Sequence, residues 1–281
     1  MIMADSILAV AGVEIKIGLR NRWVILATLI LLTFALMLAF VGTVPSGTLK
    51  VDPLIVTVAS LATLSVYLVP LIALLLAFDA IAGEVDRGTL QLVLATPVSR
   101  GSFILGKFLG HLAVLALAII LGFGVAGAIV VVVSASALAG LLDLTRLIIT
   151  SIALGSVFLG IGYIASAATR QAGTAAALCI GIWLVAVVLY DLGLLGALVA
   201  DGANGGSMFS KTIFPYMLLA NPADAFRLYN IAALDAGAIS SGLTSVSDNL
   251  PFPAQVGLLS LGGWLAAGLG LAVLVFRKLE P

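Results

Sequence analysis

Residues 107–133 read KFLGHLAVLALAIILGFGVAGAIVVVV, and after Lys107 and His111 nothing in the run can carry a charge. A helix rises about 1.5 Å per residue, so roughly 20 apolar residues cross a hydrocarbon core about 30 Å thick. The run exceeds that length, and it lacks the period-two alternation of a barrel strand. In lipid it must satisfy its own backbone, which a helix does. The same test applied outward picks out residues 23–43, 54–78, 147–169, 174–200 and 254–276. The expected fold is therefore an all-α integral membrane protein with six transmembrane helices in one domain over residues 1–281.

Composition agrees. The chain is 62% hydrophobic and 9% charged, with a mean hydropathy of +1.28, against about 25% charged residues in soluble chains. Its net charge is 0 and its basic residues are scattered, so no basic patch points to nucleic acid. Cys179 is the single cysteine, which excludes an intrachain disulfide and a CxxC pair. The stretch before Trp23 holds Asp5, Glu14, Lys16, Arg20 and Arg22. That is long and mixed in charge for a signal-peptide n-region, so the first apolar run is expected to be an uncleaved span.

Basic residues orient the spans. With the N-terminus inside, Lys16, Arg20, Arg22, Arg87, Arg100, Lys107, Arg170, Arg277 and Lys278 fall on inner segments. The short outer loops then hold only Lys50 and Arg146, as the positive-inside rule requires. Lys211 and Arg227 lie in a long outer segment, residues 201–253, and long loops translocate largely regardless of charge. Both termini are expected to be cytoplasmic. Pro70, inside the second run, should kink that helix or widen a turn.

Two connections are long enough to carry function. The inner one, residues 79–106, concentrates Asp79, Glu84, Asp86, Arg87 and Arg100. Glu84 to Leu94 can form one short helix with Val85, Leu90, Val93 and Leu94 toward an apolar partner and its charges toward a soluble domain. Pro97 disfavours helix at Thr96 and turns the chain back to the membrane. The outer segment contains a semi-apolar stretch, residues 213–233, with Phe214, Tyr216, Phe226 and Tyr229, suited to short interfacial or re-entrant helices. Gly/Ser/Asn-rich runs at 202–207 and 240–247 read as its flanking connectors.

Gly101 to Lys107 fits GxxxxGK, but Phe108 follows where a P-loop needs Ser or Thr, and the segment opens a membrane span. Lys107 reads instead as an interfacial anchor snorkelling toward headgroups. With no other phosphate cradle in the sequence, any ATP hydrolysis belongs to a partner. Small residues recur four apart at Gly106/Gly110, Gly124/Ala128, Ser151/Gly155 and Gly162/Ser166, a spacing that permits close helix approach within one chain or across a dimer seam. Asp191 is the one acid well inside a span, in its outer third beside Tyr190 where the outer loop can reach it. His111, Cys179, Met208 and Met217 are soft metal donors, too dispersed to define a metal site. The spans show no nucleophile and base pair, so the chain is not read as an enzyme.

The order of elements in the inner connection, an acidic residue, Gly88-Thr89-Leu90, an apolar stretch, Pro97-Val98-Ser99-Arg100 and then Gly106-Lys107, resembles the signature of ABC-2-type permeases. The resemblance implies a type V exporter-like permease in which this connection is a cytoplasmic coupling helix. Its coupling residues would be Glu84, Asp86, Arg87, Gly88, Thr89, Leu90, Pro97 and Arg100, acting as a rigid lever. It also implies a homodimer served by a cytoplasmic ABC ATPase dimer. Four further stretches are similar to the Nos-type branch of these permeases, which serves nitrous oxide reductase maturation. They are Gly18 to Trp23, Pro70 to Ile81, Gly106 to His111 and Leu219 to Leu228. That branch implies a periplasmic copper-handling partner, with Asn221, Pro222, Asp224 and Arg227 as candidate contacts. ATP and Mg²⁺ would sit in the ATPase, copper in the periplasmic partner, and no cofactor in this chain. Two other readings stay open: an ABC-2 exporter of lipid or drug, and a proton-coupled secondary transporter using Asp191.

Overall fold

Long apolar runs become helices because lipid offers the backbone no other partner. The computed structural model describes residues 2–43, 53–96, 98–133, 140–203, 209–232 and 251–278, and the elements among them are helical throughout. Six helices are long and apolar enough to cross a membrane. They are α2 (Arg22–Thr43), α3 (Pro53–Ala77), α6 (Arg100–Val133), α7 (Leu141–Ala167), the composite α8 (Ala172–Trp183) and α9 (Tyr190–Ala203), and α12 (Val256–Lys278). Hydroxyls within these helices donate to the carbonyl four residues back, as Thr28, Thr57, Ser60 and Ser65 do. This is how apolar spans accommodate them.

The core lies between α3, α6 and α7, where Leu61, Leu115, Phe123, Phe158 and Tyr163 are fully buried. Three of the four small-residue pairs act inside the chain. A Cβ at Gly162 would stand 2.5 Å from that of Ala77. The Ser65 and Ser151 hydroxyls are 3.1 Å apart. The Ser166 hydroxyl donates to Phe78 O and accepts from the backbone N–H of Ile81 and Ala82, which pins the corner after α3 onto α7. In the fourth pair, Gly124 faces open space. By contrast α2, α8/α9 and α12 keep most of their surface exposed and form the rim of the bundle.

Several elements differ from the sequence expectation. The charged leader is a helix, α1 (Ile2–Arg20), hidden from a hydropathy reading by its mixed charge. The third span begins at Arg100 and runs 34 residues, about 50 Å by helix rise and so well beyond the hydrocarbon thickness. α1 runs alongside its first turns. Val10, Glu14 and Val114 mark that seam, opposite Gly106, Gly110 and Gly18 respectively. The second span, α3, passes unbroken through Pro70. The widened turn sits instead in the fifth span, as a π-helical stretch over Leu184–Leu189.

The inner connection is two helices rather than one, α4 (Ala82–Asp86) and α5 (Leu90–Leu94). Gly88 breaks them with φ +70°, a left-handed conformation that only glycine adopts without strain. Between the fifth and sixth spans, a π-helical turn (Phe209–Ile213) leads into α10 (Phe214–Ala220) and α11 (Pro222–Ala232). These are the short helices expected there. Pro97, Lys50, Met208 and the run at 240–247 lie outside the described residues.

Candidate functional site: two buried ionic junctions

At the end of the bundle that carries α1, α4 and the start of α6, Lys107 is buried and its Nζ lies 2.6 Å from Glu14 Oε1 and 3.2 Å from Glu84 Oε1. It is therefore a buried tie among α1, α4 and α6, not a snorkelling anchor. The position is forced by packing. Gly106 and Gly110 let α1 approach so closely that added Cβ atoms would meet Val10 and Glu14 at 2.6 and 2.5 Å, and Glu14 is left only 6% exposed. His111, one turn beyond Lys107, closes the junction with Nε2 3.3 Å from Glu14 Oε2 and Nδ1 2.8 Å from the Tyr163 hydroxyl. With Nε2 protonated, the ring donates to Glu14 and accepts from Tyr163.

Burial pushes the Glu14 carboxyl up, but the His111 hydrogen bond and the Lys107 ammonium outweigh it and hold the group down at about 2. Glu84 also accepts the Thr89 hydroxyl, which ties α4 across Gly88 to the start of α5.

This junction corrects the expected use of several residues. Glu84 faces inward, not toward a soluble domain. Leu90 is buried and Val85 packs on the core, so neither is offered to an external apolar partner. Arg100 holds the end of α12, donating to Phe276 O at 3.2 Å and Arg277 O at 2.8 Å. The residues that do present themselves on the bend are Asp86, Arg87, Gly88 and Gln91, with Leu92 72% exposed among them. Leu92 had no sequence signal beyond its place on the helix, and Glu14 was masked by its charged neighbours.

The opposite end carries a second cation between two carboxylates. Arg227 of α11 lies 2.8 Å from Asp191 of α9 and 2.9 Å from Asp224, so Asp191 is indeed met from the segment after its span. Asp224 Oδ2 is buried without a hydrogen-bond partner among the described residues. Burial and the neighbouring Asp191 charge raise its carboxyl to about 7 despite Arg227. Asn221 donates from Nδ2 to Ala186 O at 2.6 Å, a carbonyl within the π-helical stretch, and accepts from Ala223 N–H at 2.9 Å as the cap of α11. Asn221, Pro222 and Asp224 are buried and Arg227 is turned onto Asp191. Their polar atoms thus pack within the chain and seat α11 on the spans, with Arg227 the one of the four that stays partly exposed. The exposed side chains nearby are Tyr216 and Met217.

The arrangement ties helices together at both ends. Each junction joins a short helix at one end of the bundle to a long one. The chain is 39% identical over 271 residues to the ABC transporter permease protein NosY of Stutzerimonas stutzeri, covering 96% of this chain and 97% of that protein. It is 40% identical over 273 residues to the NosY permease of Pseudomonas aeruginosa, with the same coverage. The family profile described as ABC-2 family transporter protein matches residues 8–280, from within α1 to beyond α12. Because that match takes in all six spans and most of α1, the chain belongs to the ABC-2 family, as a multi-pass permease subunit of an ABC transporter.

Proposed function

We propose that this permease, as a homodimer in the bacterial inner membrane with both termini cytoplasmic, couples a separate cytoplasmic ATPase dimer to a periplasmic copper-handling partner in nitrous oxide reductase maturation. The observation that carries the coupling reading is the bend around Gly88. Its outer side offers Leu92 with Asp86 and Arg87, while its inner side is bolted through Glu84 and Lys107 to α6 and through Glu14 to α1. A push on Leu92 therefore meets a rigid footing and moves whole helices. The maturation role rests on the resemblance to the Nos-type branch and on the two NosY relatives. Force transmission, rather than passage of a metal ion, is the reading favoured by the scattered soft ligands: His111 is engaged by Glu14 and Tyr163 and Cys179 is buried in the core.

The test is Leu92→Asp in the permease co-expressed with its ATPase. A charge set into an apolar contact costs several kcal/mol, so capture of the ATPase by tagged permease should fall about tenfold or more. Copper loading of nitrous oxide reductase should fall with it. An intact complex with unchanged ATP turnover would remove the bend from the docking surface. Copper bound stoichiometrically by the purified permease alone would replace force transmission with metal passage.

A further inference from the structure

A cleft of about 680 Å³ opens between the second half of α1, the first turns of α2 and the last turns of α3. Its size falls within the range of small-molecule sites, about 300–1,000 Å³. Its two ends differ in chemistry. At the mouth stand Asn21, Asp79 and Arg87, the last two paired at 3.0 Å with both side chains near half exposed. Further along, the walls are Leu26 and Ile30 of α2 and Leu75 of α3, all exposed at the rim of the bundle.

Trp23 lies beside the mouth and is 75% exposed. Tryptophan concentrates at the membrane–water interface, so the mouth lies at headgroup depth. From there to Ile30 the wall descends about 10 Å along the helix into the hydrocarbon layer. A polar mouth at headgroup depth above apolar walls open sideways to the bilayer is the profile of a membrane lipid.

We propose that this cleft is a binding site for one zwitterionic phospholipid with a primary ammonium headgroup, held between α2 and α3. The lining sets the carboxylates of Glu14, Asp79 and Glu84 against Lys107 and Arg87, an excess of one negative charge when His111 is neutral. That balance disfavours an anionic lipid. The Asp79–Arg87 pair matches the opposed charges of a zwitterion, ammonium over Asp79 and phosphate over Arg87. A primary ammonium donates hydrogen bonds to Asp79, which a quaternary ammonium does not.

The full-length permease, purified in its complex with the ATPase, is titrated with phosphatidylethanolamine, phosphatidylcholine and phosphatidylglycerol and read by native mass spectrometry. One bound phosphatidylethanolamine per permease is expected, preferred about tenfold over the other two, the ratio one charge-assisted hydrogen bond provides. Leu75→Trp, which fills the cleft away from the ionic junction, should remove the adduct while leaving the complex assembled. A photoactivatable side chain at Leu26 gives an independent reading in the otherwise unaltered protein, and it should crosslink to lipid. Equal retention of the three lipids, an adduct that survives in an assembled Leu75→Trp complex, or a Leu26 crosslink to a second permease copy in place of lipid would each overturn the proposal.

Discussion

The two ends of this bundle use the same charge arithmetic with opposite results. Lys107 lies between Glu14 and Glu84, and Arg227 lies between Asp191 and Asp224. At the first end both carboxylates find further donors, His111 for Glu14 and Thr89 for Glu84, and burial is outweighed. At the second, Asp224 keeps one buried oxygen without a partner among the described residues, and burial wins. What separates the two is the hydrogen-bond supply around the carboxylates together with the Asp191 charge beside Asp224. The first junction holds its two carboxylates ionised and the second favours holding a proton on Asp224.

Removing the cation should expose this difference most strongly. Lys107→Met leaves Glu14 and Glu84 confined together, and breaking a buried ion pair costs about 3–5 kcal/mol. A lower thermal midpoint of the detergent-solubilised permease and release of α1 to protease are expected, with partial rescue by adding Glu14→Gln. Arg227→Met should cost less, because Asp224 can take up a proton, and its cost should shrink at acidic pH. Equal losses at the two ends, independent of pH, would break the comparison.

The pH dependence comes next in size, with opposite signs at the two ends. Glu14 sits at about 2 against an ordinary 4.5, so the unfolded chain binds more protons between those values. Its stabilisation is complete above 4.5 and lost as pH falls toward 2. Asp224 is raised from 3.8 to about 7, so here the folded chain holds the extra proton. Its contribution is present at low pH and lost as pH rises through about 7. Unfolding midpoints followed across this range should show Asp224→Asn flattening the slope near neutrality and Glu14→Gln flattening the acid limb. A slope near neutrality that survives in Asp224→Asn would assign it elsewhere.

Steric contact at the two ends should matter less than charge. A Cβ at Gly110 would meet Glu14 Cβ at 2.5 Å, and one at Gly257 would meet Ala225 O at 2.7 Å. Gly110 lets α1 approach α6 where the first ionic junction is assembled, and Gly257 lets α11, which carries the Arg227 and Asp224 of the second, approach α12. Alanine at either should cost about 1–3 kcal/mol through overpacking. Gly124→Ala, with nothing within 4 Å, should be neutral or slightly stabilising. Thermal midpoints of the three variants check the ranking.

These junctions also mark where sequence reading stops. The spans are legible because an apolar run of sufficient length has one solution in lipid. Lys107 and Glu14 are 93 residues apart, and no local pattern reports that they meet. Even so, Ile7, Val10, Ala11, Glu14 and Gly18 recur at three- and four-residue steps, a helical stripe on which Glu14 is the one charge. Asn221, Pro222 and Asp224 stood out as a motif yet were read as surface. Polar residues in an outer segment look like a docking site until the π-helical carbonyl of Ala186 and the guanidinium of Arg227 are seen to claim them.

The smallest expected effect concerns how each end breaks its helix. Asn221 separates α10 from α11 in an ordinary extended conformation, φ −107° and ψ 125°, and its side chain supplies the cap. Gly88 separates α4 from α5 at φ +70°, and a Cβ there would meet nothing within 4 Å. Gly88→Ala is thus penalised by backbone conformation alone, about 1–2 kcal/mol, and Gly88→Asn by less. Because the bend is exposed and its footing is held independently through Glu84 and Lys107, the penalty should fall on the angle between α4 and α5 rather than on the bundle. The thermal midpoint should barely move, while ATP turnover of the assembled transporter falls in Gly88→Ala and partly recovers in Gly88→Asn. A midpoint that drops as far as in Gly110→Ala would mean that the bend is part of the core rather than a lever set upon it.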